Sequence, residues 1–262
     1  MRIGYYQFSP EFGRVEENTE KLADTLRSAK ADLIVAPELA TSGYLFTSVE
    51  ELFGYAEPVP GPSTEKLTDA ARESGCAMVF GMPELSGDTV YNSAVFVTPD
   101  GVEYVYRKIH LFNTEKLYFA RGDRRLKVVD YKNARVGLLV CFDHMFPEAA
   151  RTLALKGAEV ICHPSNLVLP KLGQLTTRVR AVENKVYWIL ANRYGTERKK
   201  DKELTYTGKS QIISPDGAIL ASAEESRDEL KIVEINPASA RSKKIAFYND
   251  LFKDRRTDIY EI

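Results

Sequence analysis

The sequence predicts an α/β fold with mixed sheets, and three observations carry that prediction. Short, continuously apolar runs such as 32–36 and 77–80 alternate with longer segments whose apolar residues recur at helical spacing. Tight hairpins are interspersed among them, so the sheets are not purely parallel. The pattern strand–Pro-Asp-Gly–strand occurs twice, at Pro99-Asp100-Gly101 and at Pro215-Asp216-Gly217, an echo consistent with two similar halves. Two sheets packed together, with helices outside both, accommodate all three.

The elements follow in order. Residues 1–8 read as a strand. Residues 15–30 carry Leu22, Leu26 and Ala29 at helical spacing, with Asn18 or Thr19 as the expected cap. The run 32–36 suits a strand buried on both faces. Gly61-Pro62-Ser63 opens a helix to about residue 74, and 77–80 is another buried strand. Strands over 90–98 and 102–107 flank Pro99-Asp100-Gly101, which presets a tight reversal. A second strand pair, 126–130 and 135–140, turns around Lys132-Asn133. A helix starts near Pro147, where a missing N–H costs nothing in the first turn. A strand over 159–162, a helix over about 175–184 and a strand over 186–191 come next. The last hairpin spans 210–223, residues 230–235 are a strand, and a charged tail closes the chain. No linker or low-complexity stretch interrupts the sequence, so a single domain, 1–262, is expected.

The 262 residues are 44% hydrophobic and 10% aromatic, which excludes a disordered chain. With 36 Lys+Arg against 37 Asp+Glu the formal net charge is -1, which leaves no electrostatic footprint for nucleic acid or an anionic membrane. Three cysteines make no closed disulfide framework. The opening segment lacks an apolar signal core and no apolar run reaches the roughly 18 residues of a membrane span, so a soluble cytoplasmic protein is expected.

Three candidates for chemistry stand at strand ends. Cys141 lies where a buried strand stops just before a helix, facing backbone N–H groups that favour a thiolate and can hold a developing oxyanion. The bland alternative is a small buried apolar side chain. An unshifted thiol is only about 3% ionised at neutral pH, so it needs a base. Neither His144 nor His163 has an orienting carboxylate nearby in sequence. Glu38 follows the buried run 32–36 directly after Pro37; desolvated there, it suits proton transfer, and otherwise it is a loop carboxylate. Lys108 ends an apolar strand and could place a cation in a pocket, with Glu115 seven residues on. Together these supply a nucleophile, a base and a cation, provided the strand ends share one edge.

The segments Ala36-Pro37-Glu38-Leu39-Ala40-Thr41-Ser42-Gly43-Tyr44, Tyr106-Arg107-Lys108-Ile109-His110-Leu111-Phe112 and Cys141-Phe142-Asp143-His144-Met145-Phe146-Pro147-Glu148 resemble, in order and spacing, the nitrilase superfamily of carbon–nitrogen hydrolases. The similarity extends through His163-Pro164-Ser165-Asn166 and covers nearly the whole chain. It implies a four-layer α-β-β-α sandwich with two mixed sheets that usually dimerises, the tail of about 245–262 crossing to the partner. It also implies a Glu38-Lys108-Cys141 triad, with Glu115 orienting the lysine and substrate and the Phe142 N–H joining Lys108 at the oxyanion. Tyr44, His144 and Asn166 fall where family members often line the pocket. No metal or organic cofactor is required.

Cys141-Phe142-Asp143 resembles the amidase-type branches, which favours hydrolysis of a small aliphatic amide to acid and ammonia. Compact members described as nitrilases and N-carbamoyl amidohydrolases are the alternatives on the same site. A zinc site from Cys141, His144, Cys162 and His163 fits poorly, because adjacent residues of a strand face apart. A non-catalytic binding protein is disfavoured by the presence of all three triad residue types.

Overall fold

The computed structural model describes residues 1–260, which run β1 (Arg2–Gln7), α1 (Val15–Ser28), β2 (Leu33–Val35), α2 (Val49–Phe53), α3 (Pro62–Ser74), β3 (Ala77–Ser86), β4 (Thr89–Thr98), β5 (Gly101–Arg107), α4 (Glu115–Tyr118), β6 (Val128–Tyr131), β7 (Ala134–Leu138), α5 (Pro147–Leu155), β8 (Val160–Ser165), α6 (Leu172–Asn184), β9 (Tyr187–Asn192), β10 (Tyr194–Lys199), β11 (Lys202–Thr207), β12 (Gln211–Ile213), β13 (Ile219–Ser222) and β14 (Glu229–Glu234). Two six-stranded mixed sheets result, ordered β14-β1-β2-β3-β4-β5 and β13-β12-β9-β8-β7-β6. In each, three parallel strands form the centre: β1, β2 and β3 in one, β7, β8 and β9 in the other. A Pro-Asp-Gly hairpin extends one side, and a single antiparallel strand closes the other. The echo at 99 and 215 is therefore a repeated half.

Side-chain alternation separates the layers. Ile3, Tyr5, Leu33, Val35, Ala77, Val79, Ala94 and Phe96 join one apolar cluster with Val136, Leu138, Val160 and Trp188 of the second sheet. Their neighbours Tyr6, Phe8, Ile34, Met78, Phe80, Val95 and Val97 face outward against Leu22 and Leu26 of α1 and Leu67 and Ala71 of α3. Both faces of the first sheet are thus buried, which is why its strands read as continuous apolar runs. Burying each large apolar side chain contributes about 1.5–3 kcal/mol. On the second sheet, Leu153 of α5 lies against Gly137, and Ala181 of α6 joins the same core. Helices outside two packed sheets make the α-β-β-α sandwich.

Some expectations are corrected. Neither Asn18 nor Thr19 caps α1: the helix begins at Val15 with no side-chain cap, and both residues lie within it. Asn18 instead bonds Glu11 and the Thr41 carbonyl, and Glu16 and Glu17 complement the helix dipole. β3 does not stop at Phe80. Gly81 and Pro83 read as breakers, yet pairing with β4 continues through Ser86. α6 begins at Leu172. The charged β10–β11 hairpin has no apolar alternation to announce it, and α2 and α4 are too short to show a period.

Strand direction sets up the site. β4 is antiparallel to β3, and β5 to β4, so β5 runs with β2 and β3. Their carboxyl ends share one edge. Glu38 comes shortly after β2, Lys108 directly after β5, and Cys141 shortly after β7 of the facing sheet.

Candidate active site

Cys141 sits on a sharp elbow. Val140 is extended, and Cys141 turns into the left-handed region at φ 41° to open a 3-10 turn over Cys141–Met145. For a residue with a Cβ this conformation costs about 1–3 kcal/mol, so neighbours must hold it. Asp143, fully buried, is the main clamp: Oδ2 accepts from Val140 N and from Tyr106 Oη, both at 2.8 Å, and Oδ1 lies 2.8 Å from His110 Nδ1. Tyr106 and His110 flank Lys108, so this one carboxylate ties the elbow to the lysine loop. On the other side His163 Nε2 lies 2.9 Å from the Cys141 carbonyl. The first bond of the turn is Asp143 N to Val140 O, which leaves the N–H groups of Cys141 and Phe142 ahead of it.

Lys108 is fully enclosed and reaches two carboxylates: Nζ donates to Glu38 Oε1 at 2.7 Å and to Glu115 Oε1 at 2.8 Å. Asn92 Nδ2 also donates to Glu38 Oε1, at 2.7 Å. Glu115, at the start of α4, accepts from Tyr44 Oη at 2.6 Å and from Phe112 N at 3.0 Å. A Cβ at Gly81 would collide with Glu38 Cα and Leu39 N, so the close crossing of β3 under Glu38 requires that glycine. Glu38 Oε2 is buried and has no hydrogen-bond partner.

The charges explain one another. Burial opposes the ammonium of Lys108, but Glu115 and Glu38 outweigh it and hold the amine above its ordinary range. Burial raises the Cys141 thiol, and Glu38 and then Glu115 push it further; Lys108 and the Asn166 N–H only partly offset this. Burial also raises the Glu115 carboxyl, against the pull of Lys108. At neutral pH the site therefore holds a protonated thiol in the field of the Glu38–Lys108–Glu115 cluster.

Beside the thiol lies a small, partly open cavity whose wall includes Phe112, Phe142, Met145, Leu167, Leu169 and Leu172. Its polar lining comes from Cys141, His144 and Asn166; among the described residues no ionised side chain lines this wall itself, while the adjoining cleft carries Asp201, Lys202 and Glu203. His144 is kept neutral, its pKa lowered to about 4 by burial and by Arg180, with Nδ1 2.6 Å from Thr176 Oγ1. Asn166 is buried with neither side-chain nitrogen nor oxygen partnered. Tyr44 stands apart from this wall, turned onto Glu115, and borders a neighbouring cleft that shares Phe112 and Val168.

The zinc set is not assembled. Cys162 packs in the apolar core while His163 turns to the Cys141 carbonyl and the edge of Trp188. Trp188 and Tyr187 are core residues, as their apolar strand suggests. Sequence reasoning missed Asn92 and the clamp role of Asp143. The signal for Asn92 was a polar pair, Asn92-Ser93, inside an otherwise apolar strand.

The family model for carbon-nitrogen hydrolases matches residues 1–245. The chain belongs to the carbon–nitrogen hydrolase family. It is 44% identical to a nitrilase of Pyrococcus abyssi over 99% of both chains. It is 31% identical to an N-carbamoylputrescine amidase of Solanum lycopersicum, covering 93% of this chain and 87% of that one. Its fold superposes with a TM-score of 0.81 on a mutant of the amidase from Nesterenkonia sp. AN1 that shows the Michael addition of acrylamide at the active-site cysteine (25% identity, 98% of this chain and 97% of that chain). This carbon–nitrogen hydrolase is an enzyme of the amidase/nitrilase type.

Proposed function

We propose that the enzyme hydrolyses small, uncharged aliphatic amides to carboxylic acid and ammonia through a thioester on Cys141. One observation carries the reading: a buried carboxylate whose Oε1 is occupied by Lys108 and Asn92 keeps Oε2 open within the cluster that acts on a protonated thiol. Glu38 takes the thiol proton as sulfur attacks the amide carbon. Lys108 Nζ and the Phe142 N–H stabilise the oxyanion. The tetrahedral intermediate collapses, and the C–N bond breaks as Glu38 returns its proton to the leaving ammonia. Glu38 then removes a proton from water, whose oxygen attacks the thioester; the acid leaves and the thiol is restored. Glu115 holds Lys108 in line, with Tyr44 holding Glu115, and His144 and Asn166 contact the substrate.

The apolar wall selects the substrate class. An ammonium or carboxylate held against this wall would lie without a charged partner, at a cost of several kcal/mol, and only a longer tail could reach Asp201, Lys202 or Glu203 of the adjoining cleft. Uncharged amides are therefore favoured over carbamoyl compounds with charged tails. A nitrile is the second reading, supported by the 44% identity to a nitrilase: sulfur adds to the nitrile carbon to give a thioimidate, which water converts to the same thioester with loss of ammonia.

The chain is further proposed to act as one hydrolase domain that pairs into a homodimer through its tail, where Phe247 and Tyr248 are 85% and 88% exposed. Residues 261 and 262 of that tail lie outside the described residues. Three unpaired cysteines support a cytoplasmic location. The test is mass spectrometry and ammonia release with butyramide, propionitrile and N-carbamoylputrescine. An acyl adduct on Cys141 and ammonia from butyramide are expected, both lost in Cys141→Ala; hydrolysis retained in that variant would remove the thioester mechanism.

A further inference from the structure

We propose that Glu197, outside the cluster that touches the substrate, is a positioning residue that sets Lys108 through the Tyr44 loop. The proposal rests on the hydrolase reading above. Glu197 lies on β10, in the charged hairpin the sequence did not announce, yet it is only 8% exposed. Its carboxylate collects donors from three directions. Arg193 Nη1 lies 2.5 Å from Oε1, and Tyr206 Oη donates to Oε2 at 2.9 Å. Leu45 N donates to Oε2 at 2.8 Å, and Tyr44 N lies 3.1 and 3.2 Å from the two oxygens.

The two backbone donors belong to the segment that carries Tyr44. From there the path is continuous: Tyr44 Oη to Glu115 at 2.6 Å, and Glu115 to Lys108 at 2.8 Å. Gly43, at φ 78°, lies so close that a Cβ there would come within 2.8 Å of Glu197 Oε1. Only a glycine lets the loop settle against the carboxylate. Arg193, itself 1% exposed, is fixed in turn by the Pro10 carbonyl at 3.2 Å and by the Tyr206 ring, 4.0 Å below the guanidinium.

Stability alone is a poor reason for this arrangement. A buried ion pair gains little over a well-packed apolar pair of similar volume. What an apolar pair could not do is grip two successive N–H groups and thereby fix where the Tyr44 hydroxyl points. In hydrolysis, a displacement of about 1 Å in a group that holds the reacting atoms costs about 10²-fold in rate.

The experiment is a double-mutant cycle on the full chain, with butyramide as substrate and iodoacetamide alkylation of Cys141 as a second readout that needs no turnover. Glu197→Gln and Tyr44→Phe are each expected to lower kcat about 10- to 100-fold, with KM changed less than about threefold. Because both act through one path, the double variant should be no slower than the slower single variant. Tyr206→Phe, which keeps the ring under Arg193 and removes one donor, covers the case in which Glu197→Gln fails to fold; its expected loss is about two- to fivefold. Full kcat in folded Glu197→Gln, or multiplying losses in the double variant, would overturn the proposal. Butyramide that is not hydrolysed by the parent enzyme, with alkylation still slowed at least about fivefold by Glu197→Gln, would count against the amidase reading and for the brace. Alkylation indifferent to Glu197 would count against the brace alone.

Discussion

Arg107 and Lys108 are adjacent in the chain, and each is a buried cation anchoring two carboxylates, with Asp123 beside Arg107 reaching solvent, but the two clusters are finished differently. Arg107 Nε and Nη2 reach Glu84 at 2.6–3.1 Å, Nη1 meets both oxygens of Asp123 at 3.1 Å, and the guanidinium lies 3.9 Å over the Tyr91 ring. Ser93 Oγ donates to Glu84 as well, at 2.6 Å. Both oxygens of Glu84 are therefore occupied. Lys108 is equally enclosed and also has two carboxylates, yet Glu38 Oε2 and Asn92 Oδ1 remain unpartnered. A buried acceptor left open costs about 1–3 kcal/mol, so the second cluster gives up stability that the first keeps. The open acceptor is where a proton can be received.

The comparison breaks most sharply at Glu38. Glu38→Gln keeps an oxygen for Lys108 and Asn92 but cannot take a proton, and kcat is expected to fall about 10²- to 10⁴-fold with the melting temperature nearly unchanged. Steady-state ammonia release and thermal unfolding check this together; a loss below tenfold would remove Glu38 as the base. The neighbouring cluster should respond in the opposite way. Arg107→Met leaves Glu84 buried with only the Ser93 hydroxyl and no cation, so about 3–5 kcal/mol of stability should go while kcat per folded molecule stays within about threefold. Denaturant unfolding and active-site titration separate the two quantities, and a selective loss of kcat would show the clusters to be one unit.

The smallest effect sharpens the electrostatic side. His163 is held near 3 by burial and by neighbouring His144. An unfolded histidine titrates at about 6.5, so between those values the unfolded chain binds the extra proton and stability falls as pH falls. The unfolding free energy should decline by about 3 kcal/mol between pH 6.5 and 4 from this residue alone. His163→Phe should flatten that slope whatever it does to stability at pH 7. An unchanged slope would mean the imidazole does not stay neutral in the fold.

Much of this was legible in the sequence, for identifiable reasons. The run 32–36 and the Pro-Asp-Gly turns carry local signals, an apolar stretch and a preset reversal, that hold in any context. Glu38, Lys108 and Cys141 could be singled out because each follows such a signal at a strand end. Beyond Glu115, which the family resemblance paired with Lys108, the partners of these residues were not legible. Asn92 reaches Glu38 only because β3 crosses under the 37–39 segment, and Asp143 ties its own elbow to the distant 106–110 segment. Glu197 sits in a hairpin whose charged residues hide its buried side. Long-range geometry of this kind has no periodicity to betray it.

The two halves of the fold do not share the chemistry equally. Glu38, the proposed proton acceptor, and Lys108 grow from one sheet, and the sulfur of Cys141 from the other. A chain in which either sheet has formed alone keeps the sulfur and the proposed base apart. Under the proposed mechanism amide hydrolysis begins only when the layers close on each other, so a nascent or partly melted molecule spares the cell's own amides even while its thiol is exposed. Activity is in that sense a gauge of whether the sandwich is shut.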